Sequence, residues 1–329
     1  MARNGSISFL ARCIAAAGLA LAASAAVAQA GFPAKTIHLI VPFPAGGGTD
    51  LLARPLAVHM SKTLGATVVV DNKPGGAGMI GAGYVARAQP DGYNLLITVG
   101  SPIVVNPSVF KKMPYDSEKD FAGIAEVSSM PVAIAVQKSS PVNSLADLAR
   151  LYKSGQASGS FASTGLGSAS HILGEAVNRQ LGLDLVHVPY QGSAPAVTAA
   201  LGGHATVVYA DMAAIAAQVD GGKLKVLAVT GSQRGRNRPD MKTFEEQGVK
   251  KLGSSWVGVF APAGTPPAVV EKLSAAVVSA VRSKEINDII VKGGMEPTGL
   301  PAAAMDQRLQ GDIANWRELV RSIGGVTVQ

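Results

Sequence analysis

Short runs of β-branched and apolar residues recur along this chain, each followed by a segment with helical spacing. Thr36–Val41, Thr67–Val70, Asn94–Val99 and Val132–Val136 read as strands. So do Leu185–Val188, Thr206–Tyr209, Leu224–Val229 and Trp256–Phe260. Most are almost uninterrupted apolar runs, the pattern of parallel strands covered on both faces. Helices are predicted over Ser144–Lys153, with Asn143 or Ser144 as cap, and over Ala169–Leu181, stopped by Gly182. A third is predicted over Pro267–Arg282, with Thr265 as candidate cap and proline in the first turn. Alternation of this kind builds α/β doubly wound sheets.

Two segments can carry the chain between two such sheets. Ile124–Val136 has Pro131 inside it, and Gly253–Pro262 runs from a strand pattern into the Pro/Gly-rich APAGTPP. Two crossings would make a discontinuous first lobe, 31–130 and 253–329, around a second lobe, 131–252. Residues 1–30 read as an export signal. Arg3 and Arg12 give a positive start, Ile14 to Val27 is uncharged and apolar, and Ala28-Gln29-Ala30 offers small residues for cleavage after Ala30. The apolar run is shorter than the about 20 residues a spanning helix needs. Cys13 precedes that run, so it is not placed as a lipid-attachment cysteine.

Cys13 is the only cysteine, so the segment after residue 30 holds no disulfide and no cysteine–metal site. The leader's two arginines carry two of the seven formal positive charges. The rest form no basic block. Arg234, Arg236 and Arg238 alternate in a polar loop without interleaved aromatics, a solvated loop rather than a nucleic-acid surface. A mildly positive receptor suits an anionic small ligand.

Two strand-to-helix junctions carry the chemistry. The first is Val41-Pro42-Phe43-Pro44-Ala45-Gly46-Gly47-Gly48-Thr49-Asp50. Its glycines permit close backbone approach to a ligand, Thr49 or Asp50 can cap the helix, and free N–H groups at the helix start favour an anion. The same residues also serve a plain connecting loop. Pro55 predicts irregularity in this helix. Asp50 would repel an anion if aimed at it, so it suits capping or a ligand donor. The second junction is Ser160–His171, where Ser163, Thr164 and Ser168 supply hydroxyls among Gly165 and Gly167. Hydroxyls and bare helix N–H groups make a neutral carboxylate cradle. His171 is either a further donor or a buried structural histidine. Gly76–Gly81 matches G-x-G-x-x-G, but no acid follows the next strand to hold a ribose, and close packing accounts for the glycines. No catalytic residues are assigned: there is no G-x-S-x-G, no cysteine nucleophile and no H-E-x-x-H, and the histidines lack metal-ligand spacing.

Together these segments resemble the Bug family, the extracytoplasmic solute receptors of tripartite tricarboxylate transporters. The landmarks are VPFPAGGGTDLLARPLA (41–57), VVDNKPGGAGMIGAGYVARAQPDGY (69–93), FASTGLGSASH (161–171) and HVPYQGSAPAVTAALGG (187–203). GKLKVLAVTGSQR (222–234), WVGVFAPAGTPPAVVEKL (256–273) and GMEPTG (294–299) follow. The resemblance implies a type II periplasmic-binding-protein fold, two doubly wound lobes with a ligand cleft between them, and no cofactor or metal. It maps ligand contacts to Phe43, Ala45, Gly46, Gly47, Gly48, Thr49 and Asp50, with Ser101 near a second loop. In the second lobe it maps them to Ser163, Thr164, Gly165, Gly167, Ser168 and His171, to Tyr190, Gln191 and Gly192, and to Asp211. Family ligands are carboxylates, including di- and tricarboxylates, acidic amino acids and aromatic acids. The chain departs from the pattern at Gln191, where Lys or Arg often stands, and at His204-Ala205-Thr206, where an acidic residue is usual.

The resulting expectation is a monomeric periplasmic receptor that captures a small carboxylate and delivers it to membrane permease subunits. A sensory adaptor presenting its ligand to a signalling partner is the alternative among binding proteins. A Ser/His hydrolase lacks an arranged base–nucleophile pair.

Overall fold

The computed structural model describes residues 31–153, 158–231 and 233–326. The export signal predicted over residues 1–30 lies outside them. Eleven strands form two sheets. The first contains β1 (Ile37–Val41), β2 (Val68–Asn72), β3 (Asn94–Val99), β4 (Phe121–Ser129), β10 (Trp256–Pro262) and β11 (Glu296–Pro301). The second contains β5 (Val132–Gln137), β6 (Gly159–Ser163), β7 (Leu185–Pro189), β8 (Val207–Asp211) and β9 (Leu224–Val229). The orders are β2-β1-β3-β10-β4-β11 and β7-β6-β8-β5-β9. Apart from β11, the two lobes share one plan. Three parallel strands are followed by the strand that has just crossed from the other lobe.

Among the described residues the helices of at least eight residues are α1 (Gly48–Leu64), α2 (Met79–Ala86), α3 (Leu145–Tyr152), α4 (Ala169–Leu181), α5 (Ser193–Leu201), α6 (Met212–Asp220), α7 (Pro267–Arg282), α8 (Lys284–Lys292) and α9 (Ala302–Ser322). Side chains alternate across each sheet as a period of two requires. Ile37, Leu39 and Val41 pack with α1 and α7 on one face, while Ile40 faces the other. In the second sheet Val132, Ile134 and Val136 face α4, and Ala133 and Ala135 face α5 and α6. One apolar cluster is continuous between the lobes, joining Leu96 and Val104 of the first to Phe161 and Val177 of the second, with Trp316, Leu319 and Val320 of α9 included.

Several expectations are corrected here. The sheets are mixed, because the crossing strands return antiparallel: β10 against β3 and β4, and β5 against β8 and β9. The first crossing is far shorter than Ile124–Val136: β4 ends at Ser129 and β5 starts at Val132, leaving Met130 and Pro131. β11 was not foreseen, because its Pro297 and Gly299 resemble a turn. Helix α1 runs unbroken through Pro55. Neither Thr49 nor Asp50 caps it; both lie inside, and Gly47 holds the cap position without a side-chain bond. Thr265 does not cap α7 either. Its hydroxyl donates to the Pro262 carbonyl at 2.7 Å, and Pro266 precedes the helix. Ser144 is the cap of α3, accepting from Asp147 N–H at 3.0 Å.

A buried polar cluster ties the two crossings together. Glu126 of β4 is fully buried, with Oε2 2.9 Å from Arg308 Nη1 of α9. Burial raises its carboxyl although Arg308 opposes the shift. Arg308 also donates to Ser254 Oγ at 2.8 Å and to Asp312, which accepts from Trp256 Nε1 at 2.7 Å.

Candidate functional site

The parallel strands fix where a ligand can sit. β1, β2 and β3 end at Val41, Asn72 and Val99; β6, β7 and β8 end at Ser163, Pro189 and Asp211. The crossings leave from these same edges, since Ser129 at the end of β4 pairs with Trp256 at the start of β10, and Val132 at the start of β5 pairs with Asp211. The loops beyond both carboxyl edges therefore border the space between the lobes. The lobes touch beside it. Gly294, just before β11, has φ +71°, and a Cβ there would lie 3.3 Å from the Met212 carbonyl.

In the first lobe the glycine loop is shaped from behind by Asp50. This residue is buried, 1 % exposed. Its Oδ2 accepts from Gly46 N–H at 2.9 Å and from Arg54 Nε at 2.9 Å. Its Oδ1 accepts from Arg54 Nη2 at 2.9 Å and Asn72 Nδ2 at 3.0 Å. Asn72 Nδ2 also donates to the Phe43 carbonyl at 3.0 Å, so both ends of the loop are tied to the end of β2. Burial alone would raise the Asp50 carboxyl, but hydrogen bonds from Arg54, Gly46 and Asn72 outweigh it and hold it below the usual range. Asp50 thus holds the loop through four hydrogen bonds to protein groups. Among the described residues the backbone N–H groups of Gly48, Thr49 and Asp50 find no acceptor. Ala45, Gly46 and Gly48 are exposed and Phe43 half-buried. Ser101 begins a single π turn after β3 and is half-buried at the same edge.

In the second lobe the corresponding loop is held by neutral groups. Ser168 Oγ caps α4, accepting from His171 N–H at 3.3 Å, and donates to the Gly165 carbonyl at 2.7 Å. Its single hydrogen is therefore given to the Gly165 carbonyl. Ser163 is buried, with Oγ 2.6 Å from His187 Nε2 and 3.2 Å from the Gly165 carbonyl. Ser170 Oγ accepts from Thr164 N–H at 2.9 Å and lies 2.9 Å from Thr164 Oγ1 and 3.0 Å from Ser168 Oγ. Ser170 has one hydrogen to give, to Ser168 or to Thr164; given to Thr164, it leaves the Thr164 hydrogen for a ligand. The N–H groups of Ala169 and Ser170 find no acceptor among the described residues.

His171 is buried and fixed by its neighbours. Its Nδ1 accepts from Gly167 N–H at 3.1 Å, so in the neutral ring the proton sits on Nε2, 3.8 Å from Glu175 Oε1. The ring stacks on His187 with centroids 3.7 Å apart, and His187 stacks on Phe161 at 4.8 Å. Gly174 is needed here: a Cβ would meet the Phe161 ring at 2.3 Å. Burial pushes His171 down to about 4, helped by its neighbour His187, and burial pushes His187 to about 4 as well.

The Tyr190–Gly192 turn is joined to this loop by Tyr190 N–H to the Ser163 carbonyl and Gly192 N–H to the Thr164 carbonyl, both at 3.1 Å. Gln191 is exposed and Asp211 half-buried at the adjacent strand end. Two residues of this framework were missed by sequence reasoning, Asn72 and His187. Both lie in the quoted landmarks, but only the fold brings Asn72 to Asp50 and His187 to His171. Among the described residues, no cluster of three His, Cys, Asp or Glu side chains could hold a metal ion.

The chain as a whole is similar to known proteins. The family model described as "Tripartite tricarboxylate transporter family receptor" matches residues 52–325. Protein BugT of Bordetella pertussis is 33% identical over 316 residues, 94% of this chain and 95% of BugT. An R. palustris structure determined with adipate is 30% identical, with TM-score 0.78, covering 91% of this chain and 100% of that one. MatC from Rhodopseudomonas palustris with bound malate is 29% identical, with TM-score 0.74, covering 88% of this chain and 100% of MatC.

Proposed function

Since the chain belongs to the tripartite tricarboxylate transporter receptor family, a family of solute-binding proteins, we propose that it captures a small carboxylate between its lobes and presents it to the permease subunits of a tripartite transporter. The observation that carries this reading is a pair of helix starts at the two carboxyl edges, each with first-turn N–H groups lacking acceptors: Gly48, Thr49 and Asp50 on one side, Ala169 and Ser170 on the other. Oriented amides at helix starts favour an anion without a fixed cation. The malate and adipate bound by relatives support the same ligand class.

In this reading the lobes are 31–130 with 253–329, and 131–252, and they close on the ligand about the two crossings. The contacts are the main-chain N–H groups of Gly48 to Asp50, the Thr164 hydroxyl, and the Tyr190–Gly192 turn with Asp211. Residues 1–30 direct export and are cleaved off after Ala30, which leaves the receptor in the periplasm. Native mass spectrometry of protein recovered from a periplasmic extract, with calorimetry against malate and adipate, tests the proposal. A chain beginning at Gly31 and carrying or binding an organic acid is expected. Saturating malate, adipate and citrate all failing to bind would overturn it.

A further inference from the structure

The cleft edge changes character at the end of β8. Asp211 Oδ2 accepts from Ser193 Oγ at 2.9 Å, and among the described residues Oδ1 accepts no hydrogen bond. Asp211 precedes α6, yet its side chain makes no capping bond there. Its backbone is locked instead, with Val132 as its partner across the sheet and the next N–H, of Met212, donating to the Pro131 carbonyl at 2.8 Å. Among the described residues Asp211 forms no ion pair, and burial raises its carboxyl while Ser193 opposes the shift. The nearest basic loop does not supply a partner: Arg238 pairs with Asp220 and Arg234 with Glu246.

The adjoining turn is fixed and uncharged. Gly192 has φ +110°, and its N–H donates to the Thr164 carbonyl, which fastens the turn to the α4 loop. Gln191 is exposed and its amide has no protein partner among the described residues. This end of the cleft therefore offers a carboxylate oxygen, an amide and a hydroxyl, and among the described residues no cation pairs with them. A second ligand carboxylate placed here would face Asp211 without a counter-charge.

We propose that the Asp211–Ser193–Gln191 cluster reads a hydrogen-bond donor, so that the ligand is a carboxylate at the helix starts and a hydroxyl or protonated amine at its other end. This rests on the carboxylate-receptor reading above. Asp211 Oδ1 accepts from the donor and Gln191 pairs with the group beside it. β6 and β8 are neighbours with Ala162 opposite Val208. Strand spacing of ~4.8 Å and a rise of ~3.3 Å per residue then put Ser163 and Asp211 roughly 8 Å apart, a span suited to short acids.

Calorimetry on the full exported chain with two matched series tests this: butyrate, 4-hydroxybutyrate, 4-aminobutyrate and succinate, then hexanoate, 6-hydroxyhexanoate, 6-aminohexanoate and adipate. Within a series the hydroxy or amino acid is expected to bind at least about ten-fold more tightly than the plain acid or the dicarboxylate, as one hydrogen bond to a charged group allows. A lead for the hydroxy acid identifies a neutral donor, and a lead for the amino acid an ammonium. Asp211→Asn should erase an ammonium preference, and Gln191→Lys should move the order toward the dicarboxylate. If Asp211→Asn fails to fold, Gln191→Lys decides alone, because Gln191 is exposed: an order that does not move toward the dicarboxylate overturns the inference. A dicarboxylate binding most tightly to the unaltered protein, or an order unchanged in well-folded Asp211→Asn, overturns the inference. If no acid of either series binds and malate and citrate fail as well, the carboxylate reading itself falls; if malate or citrate binds while neither series does, or the series bind with the dicarboxylate first, only this inference falls.

Discussion

The glycine loop of the first lobe and the hydroxyl loop of the second both join a strand to a helix and both leave first-turn N–H groups without acceptors, but different chemistry holds them in shape. Behind the first is an ionised carboxylate with an arginine and an amide, Asp50, Arg54 and Asn72. Behind the second are neutral groups, with Ser163 on His187 and His171 accepting from Gly167. The same main-chain geometry can thus be held by a charge that must stay ionised or by imidazoles that must stay neutral. The two loops should fail under different conditions.

Acid should separate them most. His171 and His187 are pushed from the ordinary ~6.5 to about 4 by burial. The unfolded chain takes up these protons below ~6.5 and the folded chain only near 4. Stability from the neutral pair is therefore complete above ~6.5 and is lost as pH falls toward 4. Asp50 has the opposite dependence: its carboxyl is depressed, so its contribution holds until pH drops below the ordinary ~3.9. The urea midpoint is expected to fall between pH 7 and pH 4.5, and amide exchange should quicken in residues 163–171 before 43–50. Glu175, raised by burial, works against the trend. A His171→Gln/His187→Gln double variant should flatten the slope. A midpoint that ignores pH across this window, or a double variant with the original slope, would mean the imidazoles do not hold the loop.

Removing Asp50 attacks the other side. Asp50→Ala deprives Gly46 N–H, Asn72 and Arg54 of their shared acceptor, and hydrogen bonds to a charged group contribute about 1.5–3 kcal/mol. Arg54 is 53% exposed and keeps its solvation, which argues against a larger loss. Urea unfolding should show a decrease of that size, and calorimetry a weaker acid affinity, with the pH slope between 7 and 4.5 preserved. Lost affinity with unchanged stability would instead place Asp50 in direct contact with the ligand.

The contrast also marks what a sequence discloses. The strands and glycine runs around both loops are local patterns, and Asn94–Val99, Leu224–Val229, Ala169–Leu181 and Pro267–Arg282 are observed with the predicted bounds. β4 was mistaken for a linker, because a long apolar run beside Pro131 looks like a crossing. The partners behind each loop were not legible. Asp50 at a helix start suggests a cap, and only the parallel pairing of β1 with β2 brings Asn72 beside it, 22 residues away. His187 lies on a strand whose pairing with β6 sets it against Phe161. Which hydroxyls remain free depends on how a few hydrogens are shared among Ser163, Thr164, Ser168 and Ser170, information that spacing does not contain.

The smallest effects should sharpen the comparison within the second loop. Ser168 and Thr164 are both hydroxyl residues at the start of α4, and sequence treats them alike. Ser168 caps the helix, so Ser168→Ala is expected to lower stability by about 1 kcal/mol and to leave acid affinity nearly unchanged. Thr164 neither caps nor sits buried, and its hydrogen is the one the network can release. Thr164→Ala should therefore weaken binding of the tightest acid by ~0.5–1.5 kcal/mol, or up to ~3 kcal/mol if the bond is charge-assisted, with little change in the urea midpoint. Ser170 provides the control, because it accepts from Thr164 N–H and orients the Thr164 hydroxyl. Ser170→Ala should lose both some stability and some affinity. Affinity lost in Ser168→Ala and kept in Thr164→Ala would reverse the assignment, showing that the cap hydroxyl turns to the ligand and leaves the Gly165 carbonyl to solvent.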